Sequence, residues 1–297
     1  MPDGKAAESP KSTEDKILEE LVKTGFPTEL VAGSIMESWD YGVIYSPSYR
    51  DHQDGKSREF DLRAFKTWPV VDETPKWGMS VFLVTECKKS DGPWVFFATP
   101  EAYRSFDWLG DPIPLHHNTN GLHEIGNTLE EKVSLDRGSL MDVHHYRSLP
   151  RRARTYYEPF KKGRDHNSVG QSIYTAVMQC TKAVIFLSSE KPRSRYPAFF
   201  YPVIVFSGDM FEATIAPDKS ISLARKEYIQ LSHHYLYEAS RHSIFEDQEF
   251  IIDVVRDSYL PTYLGIIEKE MTAIASTLRT TVLTKWQPWQ PPEDTSE

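Results

Sequence analysis

Apolar residues recur along this chain at helical spacing first and in strand-like alternation afterwards. Ile17, Leu18, Leu21 and Val22 mark the apolar stripe of a helix that starts near Thr13, with Glu14 and Asp15 in its opening turn, and Gly25 stops it. Leu30, Val31, Ile35 and Met36 supply the buried face of a second helix, which runs from a Thr28 N-cap to about Trp39 and carries Glu29 in its first turn. The pattern then changes. YGVIYSPSY (41–49) predicts a first strand, and RDHQDGK (50–56) a turn around Asp54-Gly55. Ser57 to Phe65 and Gly78 to Cys87 follow as second and third strands, and PWVFF (93–97) as a short fourth.

The later half repeats the two patterns. SVGQSIYTAVMQCTK (168–182) predicts a helix, and AVIFL (183–187) a strand directly after it. YPVIVF (201–206) is a second core strand, 211–215 and 221–224 form a hairpin around Pro217-Asp218, and FIIDVV (250–255) is a last strand. Thr262 to Leu278 closes as an amphipathic helix. Alternating helices and strands, with no repeat and no low-complexity linker, predict one α/β domain over 14–285, with 98–165 as an elaboration inserted in the core and 207–285 as an extension packed on it. Residues 1–13 and 286–297 read as small, polar, proline-containing tails.

Composition narrows the class. A net charge of −9 over 297 residues argues against a surface that coats nucleic acid generally, although a local basic patch survives on an acidic protein. The two cysteines, Cys87 and Cys180, lie in apolar surroundings without metal-ligand spacing, which suits a reduced, cytoplasmic setting. No apolar window approaches the length needed to cross a membrane, and no signal-peptide pattern opens the chain.

The chemistry concentrates between Arg58 and Lys89. Glu86 and Lys88 are two apart in a predicted strand and share a face. If REFDLRAF pairs with that strand, Asp61 meets them at one end of a sheet. Asp61 and Glu86, helped by the backbone carbonyl of Cys87, form an oxygen donor set suited to magnesium, or to manganese in its place. Lys88 then stands where it orients or deprotonates a water or stabilises developing negative charge. Glu29 adds an outlying acid if its helix packs on this sheet end. The plainer alternative is a salt-bridged sheet edge. Arg58, Arg63 and Lys89 are candidates for phosphate contacts, as are Arg151, Arg152, Lys161 and Lys162 in the basic, aromatic-interleaved tract RRARTYYEPFKKGR (151–164). That tract reads equally as a solvated face anchored by aromatics. His116, His117, His123, His144 and His145 offer a different metal site, although adjacent histidines normally point apart.

Taken together, GFPTELVAGSI around Glu29, REFDLRAF around Asp61 and LVTECKK with Glu86 and Lys88 resemble the PD-(D/E)XK nuclease superfamily, the restriction-endonuclease-like fold. The resemblance covers roughly 15–97 and 168–206, and departs in one place, where Phe60 stands for the proline that names the motif. It implies an αβββαβ core with a mixed sheet, and a magnesium-dependent nuclease acting on DNA more than on RNA. Asp61 and Glu86 would be metal ligands, Lys88 the catalytic lysine and Glu29 an accessory acid. It also marks Gln171 and Tyr174 as supporting residues on the later helix. The alternative is a non-catalytic member of the same fold, serving as a structural or protein-interaction module. A homodimer, or a partner protein that brings the substrate, is compatible with either reading.

Overall fold

The computed structural model describes residues 12–70, 78–99, 117–118, 145–147, 149–159, 170–189, 198–239 and 244–285. Among these residues the α-helices are α1 (Thr13–Lys23), α2 (Phe26–Ser38), α3 (Gln171–Ser189) and α4 (Leu260–Lys285). They accompany a mixed sheet of 11 strands in the order β1-β4-β5-β9-β13-β12-β8-β6-β10-β11, with β7 on the side of β9. The strands are β1 (Gly42–Tyr45), β4 (Leu62–Pro69), β5 (Gly78–Lys89), β6 (Trp94–Ala98), β7 (His117–Asn118), β8 (Ala153–Tyr157), β9 (Ala198–Ser207), β10 (Met210–Ile215), β11 (Ile221–Arg225), β12 (Tyr228–Ala239) and β13 (Ile244–Arg256). A separate two-stranded sheet joins β2 (Ser48–Arg50) and β3 (Ser57–Glu59). The chain is thus mixed α/β, as its alternating pattern predicts. Strands from the middle elaboration and from the C-terminal extension extend the same sheet as the core strands.

Alternation along the central strands distributes the core to two faces. Leu62, Ala64, Val81 and Leu83 pack with Ala32 and Met36 of α2 and with Leu264, Ile267 and Met271 of α4. Phe60, Val84 and Phe200 face the other way and pack with Val184 of α3 and Tyr49 of β2. The parallel pair β5–β9 lies between these layers; between its two strands the chain forms β6, β7 and β8, and α3 then leads into β9.

Several expected elements differ from their patterns. AVIFL (183–187) is the last part of α3, not a strand. The apolar spacing of Ile173, Val177, Cys180 and Val184 continues at helical period, and no turn residue separates Lys182 from Ala183. The Cys180 thiol, buried under α3, reaches the carbonyls of Val84 and Val203. Second, Thr28 is buried inside α2 rather than at its N-cap. That helix starts one turn earlier at Gly25, with Pro27 in its first turn, where a missing N–H costs nothing. Third, the apolar stripe of α1 is exposed rather than buried, and so are Leu30 and Val31 of α2, whose buried residues are Thr28, Ala32, Gly33 and Met36.

Among the described residues, no helix is long and apolar enough to cross a membrane.

Candidate active site at the end of strand β5

The hairpin that carries Asp61 breaks in both of its strands at one level. Ser46 has a left-handed φ of 47° between β1 and β2, and Phe60-Asp61 separates β3 from β4. The Ser46 amide donates to the Asp61 carbonyl at 2.8 Å and the Phe60 amide to the Pro47 carbonyl at 3.2 Å, so the two breaks pin each other. Beyond this corner the hairpin leaves the main sheet and forms β2–β3. The Phe60 ring turns inward, 6.1 Å from the Tyr49 ring, and is buried. The strand expected over 57–65 is therefore two strands, with the Asp61 side chain at the joint. Phe60→Ala should destabilise the fold by roughly 3–5 kcal/mol in urea unfolding, and Phe60→Leu by clearly less.

Pairing of β4 with β5 ends at Leu62↔Thr85, so β5 runs on past its partner. The Cys87 amide, two residues further, donates to Asp61 Oδ2 at 2.6 Å, and the carboxylate takes the place of the missing ladder carbonyl. In a strand the N–H and C=O of one residue point to the same side. The Cys87 carbonyl therefore faces Asp61 as well, beyond the last β4 residue.

Glu86 and Lys88 project together from the α3 face, as the period of two requires. Lys88 Nζ lies 2.6 Å from Glu86 Oε2 and 3.6 Å from Asp61 Oδ2, so the two carboxylates converge on one ammonium. The Glu86 carboxylate is fully buried, while Asp61 and Lys88 keep 22% and 24% of their side chains in solvent. Burial pushes the Glu86 carboxyl up to about 8; Lys88 opposes the rise and Asp61 adds to it. Burial also opposes charge on Lys88, but Glu86 and Asp61 outweigh it and hold its ammonium above the ordinary lysine range. A charged Lys88 therefore sits against Glu86 first and Asp61 second. Glu29, in the first turn of α2, belongs to the same electrostatic group. Burial raises its carboxyl and so does Asp61, with Lys88 pulling it down.

Could the donors hold a divalent cation? No three His, Cys, Asp or Glu side chains among the described residues are gathered into a metal-binding group. Two carboxylates and a carbonyl remain, and magnesium is commonly held by one or two carboxylates with waters filling the other positions. The decisive atom is Glu86 Oε1, which is buried without a hydrogen-bond partner. An unpartnered carboxylate oxygen at this depth is unfavourable on its own and fits a cation. The donor set fits the group.

The other predicted residues take varied places. Lys89 donates to the Val22 carbonyl and so fastens the end of α1 beside the site. Arg58 is engaged by Asp51 and Asp54, both at 2.8 Å, and Lys182 joins the same buried Asp51 at 2.8 Å. Arg63 lies half-buried on β4, opposite Ile44 and Val84. Gln171 and Tyr174 occupy the outward face of α3, with Gln171 bonded to Thr175. Arg151 is half-exposed. Arg152 turns inward and donates to the Tyr146 carbonyl at 3.1 Å, so it belongs to the interior and not to a phosphate-facing surface. Lys161, Lys162, His116, His123 and His144, and the side chain of His117, lie outside the described residues.

His145 does not approach Asp61. Its ring is fully buried, with Nδ1 2.6 Å from Glu270 Oε2 and Nε2 3.0 Å from Asp253 Oδ2. Tyr228 and Tyr263 donate to the two oxygens of Asp253 at 2.7 and 2.8 Å. Sequence reasoning missed this network. Asp253 alone gives a signal, as a lone acid inside the apolar run FIIDVV.

No protein-family model, curated protein or solved structure matches this chain.

Proposed function

We propose that this chain is a divalent-cation-dependent nuclease that hydrolyses phosphodiester bonds, in DNA above all, on a restriction-endonuclease-like core. The observation that carries the reading is the convergence of Asp61 and Glu86 on Lys88 Nζ at the open end of β5. The order α2-β1-β4-β5-α3-β9, with β2–β3 and β6–β8 interposed and with β9 in place of the expected AVIFL strand, supports it, because these elements follow an αβββαβ sequence with Glu29 on the helix, Asp61 beside the start of β4 and Glu86 near the end of β5. Magnesium or manganese, held by Asp61, Glu86 and the Cys87 carbonyl, would supply Lewis acidity and a more acidic water.

The rest is done by side chains. Lys88, released from full pairing with the two acids, presents a charged Nζ to the attacking water or to the non-bridging phosphate oxygens, where negative charge grows in the transition state. Glu29 accepts a hydrogen bond from a water on the solvent side of the cluster. The Cys87 amide keeps Asp61 in one orientation throughout. With a net charge of −9, affinity for the polyanion is weak and salt-sensitive unless a partner delivers the substrate.

The test is cleavage of mixed DNA and RNA substrates with magnesium, with manganese and with a chelator, comparing wild type with Glu86→Gln. Cleavage that needs the cation and is lost in the variant is expected. Equal residual cleavage in both preparations, with or without metal, sinks the assignment. A second reading, a non-catalytic interaction module on the same core, is favoured by one observation, the exposed apolar face of α1 and α2.

A further inference from the structure

We propose that the exposed face of α1 and α2 is a self-association surface, which joins two copies of this chain about a two-fold axis. The amphipathic pattern of α1 is strong, yet its apolar stripe has no cover. Ile17, Leu18, Leu21 and Val22 of α1, and Phe26 and Leu30 of α2, are each between 46% and 61% exposed. Side chains of this size, half in water and contiguous along two helices, reach several hundred Å², as large as the largest patch on an ordinary monomer, about 300–600 Å². Doubled across an axis, with their polar rims, they approach the roughly 1,200 Å² at which stable interfaces begin.

One feature favours a second copy as the occupant, and another excludes two alternatives. The first is self-complementarity. The α2 surface has a shallow, open depression of about 340 Å³ lined by Leu30, Val31, Ser34, Ile35 and Ser38, with no charged group in its wall. The α1 stripe and this depression satisfy the two-fold rule that patch i meets j while j meets i, with α1 of each copy seated in the depression of the other. The second is charge. The sequence of α1 carries Glu14, Asp15, Glu19 and Glu20 against Lys16 and Lys23, the reverse of the basic polar face by which interfacial helices hold anionic membranes. It is equally unsuited to nucleic acid.

The surface adjoins the site described above, because Lys89 fastens the end of α1 and Glu29 lies in the first turn of α2. Association is nevertheless independent of catalysis. It is read without substrate or metal, so its failure and the failure of the nuclease reading are separate results.

Sedimentation velocity of the full chain over a concentration series should show a species of twice 34.2 kDa. Leu18→Glu and Leu30→Glu should each weaken association at least 10-fold with an unchanged circular dichroism spectrum, since both side chains already face water. A monomer at every concentration, or a dimer indifferent to both variants, overturns the proposal; in the first case the face serves a different partner. A second measurement does not depend on charge. Cys87 and Cys180 are both buried, so Leu18→Cys adds a single accessible thiol. A short bis-maleimide should then join two chains, and a dimer that it leaves unlinked also overturns the placement.

Discussion

Lys88→Ala is expected to lower metal-dependent cleavage by roughly 10²–10⁴-fold while the protein still folds, the range found for removing a positioned proton-transfer or charge-stabilising group. The folding half of the statement needs an argument, because deleting one partner of a buried ion pair normally leaves an uncompensated charge. Here Glu86 escapes that outcome. Its carboxyl is already raised to about 8 by burial, and without Lys88 it takes up a proton instead of remaining a bare anion. Asp61 keeps the Cys87 amide and part of its solvent exposure. Thermal unfolding should therefore shift by a few degrees only, and activity should not return with added cation. Asp61→Ala acts differently. It removes a donor and leaves the Cys87 N–H without its carboxylate, so cleavage should fall by a similar factor, with partial recovery at high manganese if the remaining donors still bind. Lys88→Ala cleaving at the wild-type rate would remove the lysine from the mechanism.

That this cluster is legible in the sequence is a matter of period. Residues two apart in a strand share a face, so Glu86 and Lys88 are bound to project together once β5 forms. Asp61 is harder, because the strand expected over 57–65 breaks beside it; the pairing of β4 with β5 survives the break and still delivers the carboxylate. Residues that turn away from their expected roles do so through long-range partners. Arg152 looks like a surface cation in a basic tract, but the Tyr146 carbonyl takes its guanidinium inward. His145 looks like half of a histidine pair, yet its carboxylates come from 108 and 125 residues downstream, where no local spacing can announce them. The end of α3 misleads for another reason. A five-residue apolar run satisfies strand and helix alike, and the layer it meets decides between them. The stripe of α1 shows the same ambiguity one level up, since an amphipathic pattern marks a face that wants burial without saying whether the chain itself supplies the cover.

His145→Leu should destabilise the fold by about 3–5 kcal/mol, because it removes the cation between two buried carboxylates. The geometry requires that cation. Carboxylates accept only, so an imidazole with one at each ring nitrogen donates from both and is charged. Burial works against the charge, but Glu270 and Asp253 outweigh it and hold the ring up at about 9, against an ordinary 6.5. A folded-state value above the unfolded one makes the contribution to stability complete below about pH 6.5, and lost as pH rises through about 9. The loss amounts to roughly 3 kcal/mol at 1.36 kcal/mol per unit. Other groups facing the ring do not obscure that window. Tyr201 of β9 and Tyr263 of α4 are buried and pushed well above the ordinary tyrosine range, as is Tyr146 beside the ring, while burial lowers Arg152 only to about 10. Tyr228 of β12 and Gln230 complete the enclosure by hydrogen bonding to Asp253 and to the His145 carbonyl. Urea unfolding of wild type and His145→Leu from pH 6 to pH 9.5 reads the difference. The gap between the two should be widest at the acid end and narrow toward pH 9, and parallel profiles would mean that the ring is neutral and that one of the two acids carries the proton.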